Sequence, residues 1–377
     1  MPQGSSARPL TAALEQVLNG RASALLPVPA GGEPESTLSA LRVGEAIDDD
    51  VAVVVTTSGT TGAPKGALLS AAALNASAAA THDRLGGPGR WLLALPPYHI
   101  AGVQVLVRSL LSGTAPVELD VSTGFDASQL PSAVEELGSG RRYTALVAAQ
   151  LAKALNDPAA TAALAGLDAV LIGGGPAPRP VLDAAARAGV RVVRTYGMSE
   201  TAGGCVYDGV PLDGVKVRVD ADGRIVIGGP TLAKGYRNPP DPDPFAEPGW
   251  FRTDDIGVVD DSGVLSMRGR VDDAISTGGL TVLPQPVEAA LRTHPAVADC
   301  AVFGLADERL GQRVVAAVVV ADGCGPPSLD TLRAHVMGTL DRTAAPRELR
   351  IVEALPMRGI GKVDRPALVR LAGKTLS

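Results

Sequence analysis

The stretch TTSGTTGAPKG, residues 56 to 66, gathers hydroxyls and glycines around one lysine, directly after the apolar run VAVVV. Glycine lets successive backbone N–H groups converge on an anion, and serine and threonine hydroxyls add further donors. The chemistry open to such a set is the holding of phosphates. Lys65, Ser58, Thr60 and Thr61 would supply the charge and the donors, with Thr57, Gly59 and Gly62 completing the cradle. Lys65 follows a proline and precedes Gly66, so it lacks the adjacent hydroxyl that a G-x-x-x-x-G-K-[ST] loop offers to magnesium. A merely flexible loop at the end of a buried strand would cost backbone order without return. Only six lysines occur in the chain, which makes Lys65, and Lys362 in GIGKVDR near the other end, scarce choices.

Further motifs follow in order: YGMSET at 196 to 201, FRTDD at 251 to 255, GRVDD at 269 to 273 and GIGKVDR at 359 to 365. With TSGTTGAPKG they resemble the adenylate-forming superfamily of acyl-CoA synthetases, firefly-type luciferases and peptide-synthetase adenylation domains, from about residue 50 to the end. The resemblance implies a two-step reaction. A carboxylate attacks the α-phosphate of ATP, pyrophosphate leaves, and the thiol of coenzyme A then takes the acyl group from AMP. In this pattern Glu200 helps hold Mg²⁺ and Thr201 donates to the α-phosphate, where charge develops. Tyr196 lays its ring against the adenine, next to Gly197, and Gly173, Gly174 and Gly175 give the base a backbone it can approach. Asp255, chosen on register with the family's T-G-D, and Arg270 reach the ribose. Lys362 bridges the attacking carboxylate and the α-phosphate. Because a thiol cannot enter that closed arrangement, the resemblance also implies a small domain that rotates about a hinge at Asp272.

Two stretches are more specific, LALPPYHIAGVQVLVRSLLSGT at 93 to 114 and YGMSETAGGCVYDGVPLDGVKVRV at 196 to 219. They resemble the o-succinylbenzoate-CoA ligases of menaquinone biosynthesis, particularly a short actinobacterial form, and the 56 residues ahead of the phosphate loop fit that group. The implied substrate is an aromatic diacid, with His99 bordering its pocket. Lys153 in ALVAAQLAKAL and Arg108 in QVLVRSLL are cations within apolar stretches, candidates for the carboxylate that is not activated. The other reading of each is a snorkelling surface residue. Rival functions are a ligase for another aryl or acyl acid, an enzyme loading a carrier protein, a P-loop kinase releasing ADP, and a nucleotide-binding regulator.

The elements that must position these residues are legible in outline. From residue 51, β-branched runs alternate with alanine-rich helical stretches, the first expected at about 69 to 84, which indicates βαβ units and a parallel sheet. After Gly203, D-G and S-G dipeptides separate alternating runs that read as antiparallel hairpins. Beyond Arg270 two amphipathic helices and two strands form a smaller unit. The expected fold is α/β with α+β: a large N-terminal domain, 1–270, with parallel or mixed βαβ sheets and an antiparallel portion, and a small mobile C-terminal α+β domain, 271–377.

Apolar residues at 46% and charged residues at 20% exclude a disordered chain. With 34 basic against 40 acidic residues, net −6, no broad field attracts nucleic acid or an anionic membrane, so an anion must be held locally. Cys205, Cys300 and Cys324 are widely spaced, with no C-x-x-C and no nearby histidine cluster, so neither a zinc site nor a disulfide framework is indicated. The sequence shows no signal peptide or membrane span, and a cytoplasmic location is expected, with ATP, Mg²⁺, coenzyme A and the diacid as small-molecule partners and a homodimer left open.

Overall fold

The computed structural model describes residues 7–57, 64–358 and 362–373. Contacts divide the chain into two units. The larger comprises residues up to Arg218, Val226–Thr253 and Asp260–Leu265; the smaller comprises Val219–Ile225, Asp254–Val259 and residues from Ser266 onward.

In the larger unit a seven-stranded sheet runs in the order Val117–Glu118, Arg90–Leu93, Arg142–Val147, Ala169–Gly173, Val192–Met198, Gly203–Tyr207, Val210–Pro211. The first four pairings are parallel and the last two antiparallel. The alternation of strand and helix in the sequence dictates this, since parallel neighbours need a crossover and helices Ile100–Leu111, Ala148–Leu155 and Arg179–Arg187 supply crossovers. Leu92, Leu130, Leu146, Leu151 and Val170 are fully or almost fully buried in its core, each contributing about 1.5–3 kcal/mol.

The strand Val51–Thr57 lies outside this sheet. It pairs antiparallel with Lys65–Ser70, Thr57 opposite Lys65, so the next described element after this strand is a second strand rather than a helix. The sequence reading has no strand at KGALLS because alanine richness masks where the next helix starts. Ser70 marks that point: its hydroxyl accepts from Ala73 N at 3.1 Å and caps the helix Ala71–Arg84.

A four-stranded sheet orders Lys216–Val219, Arg224–Gly228, Trp250–Val259 and Leu265–Arg270. Its D-G and S-G turns share one device: Asp220 Oδ1 accepts from Asp222 N and Arg224 N, and Asp260 Oδ1 from Ser262 N and Val264 N. In the smaller unit a five-stranded sheet is centred on Val297–Asp307 and Gly311–Val320. One face of these strands packs on Val287, Leu291, Leu332 and Val336 of the helices Pro284–Leu291 and Leu329–Met337. The other face, with Phe303 and Val315, packs on Leu368 and Ala372 of the helix Arg365–Gly373. Among the described residues no helix is long and apolar enough to cross a membrane.

Candidate active site

Ser58, Gly59, Thr60, Thr61 and Gly62 lie outside the described residues; Thr57 and Lys65 close the hairpin on either side of them. The Thr57 hydroxyl donates to the Lys65 carbonyl at 3.4 Å, and Lys65 Nζ stands 5.3 Å from the centre of the Tyr236 ring. Gly66 is demanded by packing, because a Cβ there would meet Val54 Cγ1 at 2.7 Å and Leu41 Cδ2 at 2.9 Å. The hairpin is braced by a segment the sequence reading did not single out. Arg237 N donates to the Gly66 carbonyl at 2.7 Å, Asn238 Oδ1 accepts from Gly66 N at 3.2 Å, and Asn238 Nδ2 donates to the Pro64 carbonyl at 2.5 Å. The buried Arg237 guanidinium donates to the carbonyls of Leu41, Arg42, Glu45 and Ala46. Only the dipeptide R-N after an aromatic hints at this in the sequence.

Tyr236 also donates its hydroxyl to Glu200 Oε1 at 2.6 Å, so the buried glutamate and Lys65 share one aromatic neighbour. Glu200 sits in the 3₁₀ turn Ser199–Thr201 that ends the strand Val192–Met198. The Thr201 hydroxyl is fully buried, accepts from Met198 N at 2.9 Å and lies within donating distance of the Gly203 carbonyl at 2.7 Å and the Met198 carbonyl at 3.1 Å, so it holds the turn. Ser199, half-buried in the same turn, makes no side-chain hydrogen bond among the described residues. Gly197 is required where it stands, since a Cβ would come 2.1 Å from the Gly203 carbonyl oxygen. Tyr196 is half-buried on the same strand, and Gly173 ends the neighbouring parallel strand with Gly174 and Gly175 exposed beyond it. These are carboxyl ends of parallel strands, where open α/β sheets take their ligands.

Burial alternates along Trp250–Val259 so that Asp255 is buried and Asp254 half-exposed, both in the part of the strand that belongs to the smaller unit. Asp255 Oδ1 accepts from Arg270 Nη1 at 3.0 Å, whereas Asp254 pairs with Arg224 at 3.2 Å. Burial works against the Arg270 charge, but Asp255, Asp272 and Asp254 outweigh it and hold the guanidinium above its ordinary pKa. Lys362 is exposed and opens the strand Lys362–Val363, which pairs antiparallel with Met357–Arg358.

His99 is the residue before the helix Ile100–Leu111, half-buried, its ring centre 4.6 Å from that of Tyr98. The two cations proposed for the second carboxylate part company. Lys153 is exposed and its Nζ donates to the Phe125 carbonyl at 2.5 Å. Arg108 is 3% exposed, its guanidinium carbon 5.0 Å from the centre of the Trp91 ring, one nitrogen donating to Tyr207 Oη at 3.4 Å, and its Nε without a partner among the described residues. Burial lowers its pKa, and no carboxylate among the described residues pairs with it. His82, buried nearby, accepts from Trp91 Nε1 at 3.2 Å; burial and then the Arg108 charge push it down to about 4. Among the described residues no cluster of three or more histidine, cysteine or acidic side chains could hold a metal by itself.

The larger unit is thus a parallel α/β fold with a lysine hairpin beside a buried glutamate, and the smaller an α+β fold that carries a second lysine hairpin. The chain belongs to the AMP-binding enzyme family, whose model matches residues 13–237, with the model of its C-terminal domain matching residues 286–362. A probable 2-succinylbenzoate–CoA ligase of Mycobacterium tuberculosis is 74% identical over 372 residues, 98% of this chain and 97% of that one. The o-succinylbenzoate coenzyme A synthetase of Bacillus subtilis in complex with its acyl-adenylate intermediate superimposes with a TM-score of 0.75 at 27% identity, over 95% of this chain and 80% of that one. The Bacillus enzyme in complex with ATP and a magnesium ion gives a TM-score of 0.70 at 28% identity, over 83% and 70%.

Proposed function

We propose that this chain is an o-succinylbenzoate-CoA ligase: it converts the acid and ATP to acyl-AMP and pyrophosphate, then transfers the acyl group to coenzyme A. The observation that carries the reading is 74% identity along almost the whole of a relative of that name. An acid is a poor acylating agent because oxide is its leaving group, and exchange for AMP supplies a better one. The first step needs donors and cations where charge develops on the α-phosphoryl oxygens and the departing pyrophosphate.

Lys65 is assigned to the outer phosphates and Lys362 to the attacking carboxylate and α-phosphate. Ser199 takes the donor role first expected of Thr201, because its hydroxyl is uncommitted while that of Thr201 is bound to backbone. Glu200 fits magnesium: a buried carboxylate is a hard oxygen donor, and Mg²⁺ is commonly held by one or two carboxylates together with substrate phosphates. The ion would neutralise phosphate charge. Tyr196 and Gly173–Gly175 serve the adenine, Asp255 and Arg270 the ribose, and Asp272 the hinge between half-reactions. Arg108 meets the carboxylate that is not activated. The support is electrostatic: a buried guanidinium with no carboxylate partner is costly, and a dianionic substrate would compensate it.

The test is pyrophosphate release over a panel of acids with coenzyme A and ATP. The expected result is AMP, pyrophosphate and a thioester with o-succinylbenzoate. Turnover only of an unrelated acid removes the substrate, and ADP with phosphate as products removes the chemistry.

A further inference from the structure

The adjacent carboxylates of Asp272 and Asp273 serve different arginines. Asp272 Oδ2 accepts from Arg270 Nη2 at 2.9 Å, and Asp273 Oδ2 accepts from Arg365 Nη1 at 2.9 Å. Arg365 opens the helix Arg365–Gly373, three residues after Lys362. Its other nitrogens are also engaged: Nη2 donates to Glu288 Oε1 at 2.6 Å and Nε to the Val302 carbonyl at 3.0 Å. Glu288, with a side chain only 3% exposed, takes Val302 N at 2.8 Å on the same oxygen. Gln285, one turn earlier on the Glu288 helix, donates to the same Asp273 oxygen at 3.0 Å.

A buried ion pair is weak evidence for stability, because apolar residues of equal volume often serve a fold as well. What an arginine adds is direction, since its planar fork fixes the relative placement of every acceptor it reaches. Here the acceptors belong to a helix, a strand and the residue just after the assigned hinge. The fork sits at the base of the lysine hairpin, where Val363 pairs with Met357, Lys362 with Arg358, and Asp364 N donates to the Pro356 carbonyl at 2.8 Å. Lysine has a long flexible stem, so an accurate placement of its ammonium depends on a fixed root.

We propose that Arg365 is a positioning residue for adenylate formation: it registers the Lys362 hairpin to Asp273, so that a turn of the chain at Asp272 carries Lys362 as part of one rigid body. This rests on the assignment of Lys362 and Asp272 given above. Without the tie, Lys362 samples positions displaced from the reacting atoms, and displacements near 1 Å slow reactions by up to about a hundredfold. Thiol attack on acyl-AMP does not use Lys362 and keeps its rate.

The test uses the full chain and two variants. Arg365→Lys keeps the charge and loses the fork. Asp273→Asn weakens the link to the hinge while leaving buried Glu288 with its arginine, so it retains the pair whose loss would unfold the unit. Adenylation is read as acid-dependent exchange of pyrophosphate into ATP, and the second step as thioester formation from supplied acyl-AMP. In both variants the adenylation kcat should fall about ten- to a hundredfold, with KM for ATP and acid and the thioester rate within about twofold of wild type. The double variant should be no slower than the slower single one, because both act through one contact. Unchanged adenylation, a loss confined to KM, or equal losses in both half-reactions overturns the proposal. Lys362→Ala, measured alongside, separates the two readings: adenylation that survives it sinks the lysine assignment itself, whereas adenylation lost there but intact in both variants sinks only the role of Arg365.

Discussion

Arginines that are wholly or partly buried are treated differently in the two units. In the larger, Arg237 directs its donors to backbone carbonyls, and Arg108 lies over Trp91 with a tyrosine hydroxyl as its only hydrogen-bond partner among the described residues. In the smaller, Arg270 faces Asp254, Asp255 and Asp272, and Arg365 faces Asp273 and Glu288. Neutral partners satisfy the hydrogen bonds of a cation but leave its charge uncompensated, so it can still be drawn to an anionic ligand. Carboxylate partners compensate the charge, and what remains is directional geometry. The larger unit is thus arranged to attract, and the smaller to hold a constellation in shape.

The most severe test of that contrast removes the lysine of the smaller unit that is assigned to the attacking carboxylate and α-phosphate. Lys362→Ala should slow adenylate formation by about 10²–10³-fold or more while thioester formation from supplied acyl-AMP continues; parallel rates in the two half-reactions would deny the division of labour. Next comes stability. Glu288→Ala breaks a buried pair and should cost about 3–5 kcal/mol in denaturant unfolding, whereas Arg108→Met, which breaks none, should change stability by less than about 1 kcal/mol. Similar costs would erase the distinction between compensated and uncompensated charge.

The same Arg108→Met variant should raise KM for the diacid about tenfold and leave KM for ATP nearly unchanged, while Lys153→Ala, whose ammonium is exposed on a backbone carbonyl, should alter neither by more than about twofold. A diacid KM that responds to Lys153 and not to Arg108 would reverse the assignment. A further effect is one of pH. His82 titrates near 4 when folded and at its ordinary 6.5 when unfolded, so on acidification through that window the unfolded chain takes up a proton that the folded chain refuses. Stability should fall as pH drops between those values, by about 3 kcal/mol at most. Arg108→Met removes the second cause of the shift and should flatten the slope; an unaltered slope would mean that Arg108 exerts no field on its surroundings.

Much of the site was legible because its residues lie in short contiguous motifs. YGMSET and GRVDD each carry two or more of the assigned groups and FRTDD carries one, and register with the family's T-G-D selects Asp255, which the structure buries while leaving Asp254 half-exposed. What stayed hidden depends on partners distant in sequence. Thr201 looks available until its hydroxyl is found between Met198 N and the Gly203 carbonyl. Lys153 and Arg108 look alike, each a lone cation in an apolar helix, until Arg108 is found against Trp91 and Tyr207 and Lys153 in solvent. The strand Lys65–Ser70 was obscured because a hairpin arm of small and apolar residues running into polyalanine has no period of its own.

The sequence by itself determined the chemistry on offer: a run of hydroxyls and glycines around one lysine, a second lysine near the far end, and the alternating runs that make a parallel sheet. Those follow from residue type and local spacing, which the chain carries wherever it folds. Only the tertiary structure decided which polar groups remain uncommitted, that Tyr236 links Lys65 to Glu200 and that Arg365 pairs with both Asp273 and Glu288, because hydrogen-bond saturation and burial depend on neighbours that sequence distance does not record.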